Sequence, residues 1–211
     1  MNREVIKGGY VAGLVIPFWL AVGVAVTAWL YPGYSHIHQA MSALGAQGAP
    51  TQWLSPLLNN YPLGILFVVF GLAIFASFKS SKWARLTGVL IALHGIASLA
   101  TGYFSCDLGC GLERPSTSQT IHNLAGLAMF LTLVLASAIW IFLAKPLLAR
   151  KGFAYFSLIC TAVAIAVLPL MGQAVEAGAG FGLYQRINYG ASVLWVGGLA
   201  LVLLARNKTQ S

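Results

Sequence analysis

Six runs of apolar residues divide the chain, near 9–31, 60–78, 84–104, 121–143, 153–170 and 187–205. Crossing about 30 Å of hydrocarbon takes a helix of roughly 20 residues, and each run is close to that length. Hydrocarbon offers no partner to a peptide group, so each run must satisfy its own backbone as a helix. The pattern predicts an all-α polytopic membrane protein: a single domain over 1–211, built as a bundle of about six transmembrane helices. The first run follows Arg3 and Lys7 as a secretory leader would. It extends from Gly8 to Leu30, however, and ends in the bulky WLYPGY. Leader cores are about 7–15 residues long and end in small residues, so this run reads as a retained span.

The longer connections, 32–59, 105–120 and 171–186, carry most of the polar chemistry. In YSHIHQAMSALGA the apolar Ile37, Ala40, Met41 and Leu44 recur at helical spacing, with Ser35 suited to an N-cap and Gly45 to a stop. A short helix lying on the outer bilayer surface is expected there. Its polar face would set His38 and Ser42 as i,i+4 neighbours, and Trp29, Tyr31, Tyr34 and Trp53 would form part of an aromatic belt. In span three His94, Ser98, Thr101 and Ser105 share one face. Asn59, Asn60, His122, Asn123, Gln185, Asn188 and Ser192 mark the outer ends of spans two, four and six. Polar side chains in hydrocarbon must face the bundle or a wet cavity. A polar cup open on the outer side is therefore expected, capped by the outer loops, with Gly178, Gly180 and Gly182 of MGQAVEAGAGFGLYQR making the last loop flexible or letting its backbone approach another group closely. The GYVAG at 9–13 is a small-xxx-small pattern for close helix packing.

Composition sharpens this picture. Hydrophobic residues make up 59% and charged residues 8%, against about 25% charged in soluble domains. The net charge of +8 does not point to nucleic acid, because the basic residues sit at alternate connections. Arg3 and Lys7 precede span one, while Lys79, Lys82 and Arg85 follow span two. Lys145, Arg150 and Lys151 follow span four, and Arg206 and Lys208 follow span six. The other three connections hold only Arg114 and Arg186. By the positive-inside rule both termini are cytoplasmic and the protein is a multi-pass protein of the cytoplasmic (inner) membrane, with membrane lipids as its expected partners and no nucleic acid.

Three of the four acidic residues, Asp107, Glu113 and Glu176, then fall on the outer side, with His36, His38 and His122. Cys106 and Cys110, four residues apart around Gly109, fit a disulfide clipping the loop, and C-x₃-C with no second thiol pair is poor zinc spacing. Cys160 reads as a small buried apolar residue. His122 with Asp107 is the candidate catalytic pair, balanced against a helix-capping role. Together with Glu176 it is the candidate metal set, for which zinc activating a water is the implied chemistry. Arg186, Glu176, Ser42, His38, Asn188 and Ser98 are the candidate ligand-binding residues, Arg186 as a bidentate clamp or as a partner of Glu176 or Asp107. His94 reads as a neutral histidine bonded to a neighbouring helix, and Glu113 with Arg114 as solvated loop charges. Ser42 with His38 permits a nucleophile–base pair only if an orienting acid joins them.

The ordered set YPGYSHIHQAMSALGAQGAP, FSCDLGC, IHNLAG and GLYQRINYG resembles a prokaryotic multi-pass family catalogued as domain-of-unknown-function family 998. The resemblance covers nearly the whole chain and implies six spans with outward loops. It supplies no reaction. The family's YISELGA stands here as AMSALGA, so the acid of that motif is replaced by Ala43. The residues support three readings: an outward site for a lipid-like or small amphiphilic ligand, a metal-assisted intramembrane hydrolase, and a non-catalytic accessory, sensor or small transport protein. If the loop is clipped, Cys106 and Cys110 resist maleimide labelling until reductant is added. Labelling of both without reductant would contradict the disulfide.

Overall fold

The computed structural model describes residues 2–111 and 114–209, so Glu113 lies outside the described residues. Seven α-helices follow one another: α1 (Arg3–Trp29), α2 (Tyr61–Ser77), α3 (Lys82–Tyr103), α4 (Thr117–Leu148), α5 (Lys151–Ala166), α6 (Leu168–Glu176) and α7 (Phe181–Thr209). They make six stretches long and apolar enough to cross a membrane, α5 and α6 together forming the fifth, Lys151–Glu176. No strand occurs among the described residues. The ends obey local chemistry. Asn2 Oδ1, Ser81 Oγ and Ser116 Oγ accept from Val5, Ala84 and Gln119 N–H at 2.9, 3.3 and 3.1 Å, satisfying donors that a first turn leaves free. Pro169, in the first turn of α6, marks the break after α5 at Val167.

The helices close into a ring: α1 contacts α2, α2 contacts α3, and so on through α4 and α5 to α7, which returns to α1. Trp140, Trp195, Phe67, Phe70 and Ile16 are fully buried at its centre. The α2–α3 contact is made by glycine. A Cβ on Gly71 would stand 2.5 Å from the Gly88 carbonyl oxygen, and one on Gly88 2.6 Å from that of Gly71. Gly64 and Gly95 repeat the arrangement a heptad away, at 2.8 and 2.5 Å. Backbones this close need positions without side chains, as small-residue interfaces in lipid generally do. The GYVAG pattern works in the same way: Gly9 lies against Ala73 and Gly13 against the Phe70 ring.

Residues 30–55, 104–111, 114–116 and 177–180 gather at one end, the capped end. The N-terminus, the 78–81 and 149–150 turns and the end of α7 lie at the other, the basic end. Two sequence expectations need correction here. The 171–186 segment is no flexible loop: α6 runs to Glu176 and α7 starts at Phe181, leaving four residues between, with Gly178 and Gly180 at positive φ. The expected helix over Ser35–Gly45 is a single turn followed by a 3₁₀ helix, Met41–Gly45. Ala40, extended at φ −58° and ψ 151°, separates them, so His38 and Ser42 do not share a helical face.

Gly71→Leu or Gly88→Leu should destabilise the bundle by about 3 kcal/mol through overpacking. Gly126→Ala, where a Cβ meets nothing within 4 Å, should be neutral or stabilise by about 0.5–1 kcal/mol. Thermal unfolding in mild detergent reads both.

Candidate functional site

The capped end is organised around Arg186, in the second turn of α7. Its Nη1 donates to the carbonyl oxygens of His36 at 2.7 Å, Gln39 at 3.1 Å and Gly182 at 2.9 Å. Its Nη2 donates to Tyr34 Oη at 2.7 Å, and that hydroxyl donates onward to the Ala40 carbonyl at 2.8 Å. Gln185, one residue earlier, accepts the Met41 N–H at 2.7 Å. The first turn of α7 is covered as well: Leu183 N–H donates to the Ile37 carbonyl at 2.9 Å, and Gly180 N–H to His38 Nδ1 at 3.1 Å. Residues 34–41 are thus stapled over the end of α7. A Cβ on Gly182 would collide with the Gln39 and His36 carbonyl oxygens, which accounts for a glycine in that turn. This wiring explains the failed helix, because the backbone groups an α-helix would have used are bound by α7.

Electrostatics follow from the same contacts. Loss of solvation, with the Arg186 charge added, lowers the His36 pKa and favours the neutral ring. Burial raises the Tyr34 pKa despite the guanidinium beside it, so Tyr34 remains a phenol. Neither of the expected carboxylate partners reaches Arg186: the ion pair among the described residues is Glu4–Lys7, 3.9 Å apart at the basic end. With both terminal nitrogens on the chain's own oxygens, the guanidinium is a staple and not a ligand clamp.

A second cluster ties the 104–116 loop to α4. Asp107 Oδ1 accepts from Ser116 Oγ at 2.6 Å and Oδ2 from Ser116 N–H at 2.9 Å, which holds its carboxyl below the usual range. Gln119 Oε1 accepts the Asp107 N–H at 2.7 Å, and Ser118 Oγ donates to the Ser105 carbonyl at 2.7 Å. His122 Nδ1 lies 2.8 Å from the Phe104 carbonyl oxygen, closing the end of α3 onto α4. Cys106 and Cys110 are disulfide-bonded with Cα atoms 5.1 Å apart. Cys106 is fully buried against Ala46 and Ala49, and its carbonyl accepts the Gln47 N–H at 2.8 Å, joining this loop to the 30–55 segment.

The remaining expectations can now be located. Ser98 Oγ donates to the Asn60 carbonyl at 3.0 Å, and Asn188 Nδ2 to the Ala164 carbonyl at 2.6 Å, both buried between helices. Asn60 Nδ2 donates to Thr101 Oγ1 at 3.0 Å. These side chains bond to backbone carbonyls of neighbouring helices or to one another instead of lining an open cup, which corrects that expectation. His38 accepts from Gly180, and no hydrogen bond joins it to Ser42, so the nucleophile–base arrangement is not assembled. Glu176 is exposed at the end of α6. Among the described residues no three His, Cys, Asp or Glu side chains are grouped to hold a metal, so His122, Asp107 and Glu176 do not form the expected zinc set. His94 is fully buried, with Nδ1 3.0 Å from the Met129 carbonyl oxygen and Nε2 3.1 Å from Tyr189 Oη, linking α3, α4 and α7. Gln119 and Tyr189 were not singled out from sequence, and Tyr34 was read as part of an aromatic belt and not as a hydrogen-bond partner of Arg186. Gln119 carries no motif, and Arg186 in the GLYQR stretch at 182–186 was marked from sequence but with a ligand or a carboxylate as its partner, where the structure gives it carbonyls and Tyr34.

Fold and site together define an integral membrane protein of six apolar helices with a hydrogen-bonded, disulfide-clipped cap. The family model described as "Protein of unknown function (DUF998)" matches residues 14–202, and the chain belongs to that family. No curated protein and no solved structure shows a match to it.

A carboxyl stabilised by Ser116 in the fold contributes stability at pH values above its unfolded pKa and loses it as pH falls through the lower folded value. The Asp107 carboxyl resonance should therefore titrate below the ordinary value of about 3.9. Ser116→Ala should move the midpoint upward, and an unchanged midpoint would contradict the tie.

Proposed function

We propose that the protein is a non-catalytic component of a cytoplasmic membrane. Its basic end lies in the cytoplasm, and its capped end faces outward as a rigid binding surface for a neighbouring membrane protein. One observation carries this reading: the polar groups that a reaction centre would need are engaged in holding the cap and bundle together. Arg186 ends on three carbonyls and Tyr34, Asp107 on Ser116, and His94 on Met129 and Tyr189. The orientation rests on the alternation of basic and non-basic connections. Exposed Trp29, Trp53 and Tyr103 suit the membrane–water boundary at the cap.

A second reading, an outward site for an amphiphile, draws on His122. Its Nδ1 is bonded, its Nε2 has no partner among the described residues, and the residue is half-buried beside exposed Asn123 and Leu124. A ring held by one nitrogen and open at the other suits a ligand contact.

The non-catalytic reading is tested by one experiment on purified protein in mild detergent. Bound metal is measured by elemental mass spectrometry in the wild type and in His122→Ala, alongside the unfolding temperature of Arg186→Ala. The non-catalytic reading expects no stoichiometric zinc in either sample. It also expects Arg186→Ala to lose about 2 kcal/mol, or roughly 4–8 °C, as charge-assisted hydrogen bonds are removed. Stoichiometric zinc that disappears in His122→Ala would overturn it in favour of hydrolase chemistry.

A further inference from the structure

One cavity lies at the basic end, far from the cap. It is an open groove of about 550 Å³ between the α4–α5 turn and the last turns of α7, within the roughly 300–1,000 Å³ range of small-molecule sites. Its lining includes the basic Arg150 and Lys151 and the apolar Phe153, Phe156, Leu201 and Val202. Gly198 lies on its floor: a Cβ there would stand 2.6 Å from the Phe156 ring, so the glycine lets that ring lie against α7.

We infer that this groove binds the headgroup of an anionic phospholipid, with Arg150 and Lys151 on the phosphate and the acyl chains running along Phe156 and Leu201. Charge complementarity identifies the occupant. Among the other cations at this end, Lys7 pairs with Glu4 at 3.9 Å, Arg85 lies over the Phe75 ring at 4.1 Å and Arg206 over the Phe78 ring at 5.4 Å, while Lys79, Lys82 and Lys145 stand outside the groove lining. Arg150 and Lys151 are exposed, and no side-chain hydrogen bond, ion pair or ring contact engages either among the described residues. Of the four acidic residues in the sequence, only Glu4 belongs to a segment at this end. Two adjacent free cations therefore face an apolar slot that opens along α7, where Leu201 is 58% exposed. A phosphodiester bearing hydrocarbon chains matches both halves of that surface. Basic pockets between membrane helices recognise lipid headgroups on this principle. The inference does not depend on what the cap binds.

The test places the full-length protein in bilayers containing spin-labelled phosphatidylglycerol or phosphatidylcholine and measures the immobilised lipid fraction. The wild type should prefer phosphatidylglycerol. Arg150→Gln with Lys151→Gln should weaken that preference by about 25-fold, at about fivefold per charge removed near the surface. Leu201→Trp, which fills the groove and keeps both charges, should also weaken it. Lys79→Gln with Lys82→Gln, outside the groove at the same end, should leave it unchanged. An equal loss in the Lys79/Lys82 pair would show a diffuse basic surface and overturn the site. So would displacement of the labelled lipid by inorganic phosphate at matched concentration, which would make the occupant a free anion.

Discussion

In hydrocarbon a polar group that finds no partner in its own chain finds none at all, and that constraint runs through every part of this molecule. The helices satisfy their peptide groups internally, and their hydroxyls bend back onto the preceding turn. Thr27, Thr132 and Ser157 bond the carbonyls of Gly23, Ala128 and Phe153 at 2.7–2.8 Å. Longer polar side chains reach across instead: His94 to α4 and α7, Asn188 to α5, and Trp195 Nε1 to Ser157 Oγ at 3.0 Å. Among the described residues only Asn59 Oδ1 and Trp140 Nε1 are buried without a partner. A polar stripe on a membrane helix is therefore weak evidence for a cavity, because satisfied pairs produce the same stripe.

The irregular cap meets the same requirement by borrowing donors. Residues 34–41 expose carbonyls that no helix or sheet takes up, and Arg186 with Tyr34 supplies the hydrogen bonds. An arginine near the start of the last span is explained by this demand. The 104–116 loop is held in parallel by Asp107, Ser116, Gln119 and the disulfide. Both clusters stiffen backbone, and neither brings opposing charges together.

The fold was legible because lipid imposes a length and an apolar composition that can be counted. The helix ends were less so: α1 begins at Arg3 and α7 at Phe181, since helical turns holding polar residues such as Arg3 and Arg186 extend beyond the apolar runs. The α2–α3 contact was missed because its glycines are a heptad apart instead of four residues, although Gly9 and Gly13 were read correctly. At the cap, Cys106 and Cys110 could be paired from spacing alone. The role of Arg186 could not, because its partners are backbone carbonyls, which every residue carries and no sequence distinguishes. The 35–45 stretch was misread for a related reason: its helical spacing is real, but contacts with α7 outweigh a local preference of a few tenths of a kcal/mol per residue.

The closed ring of helices gives the last span a distinct place in biogenesis. α7 alone bridges α5 to α1, where Gly197 lies against Pro17, and it carries the arginine that gathers residues 34–41. While the chain is being made, α1 and the segment after it emerge before α7 and remain unclosed until α7 enters the bilayer. The ribosome therefore delivers the lock after the parts it closes, and a nascent chain halted before α7 exposes an open seam on which quality-control machinery can act.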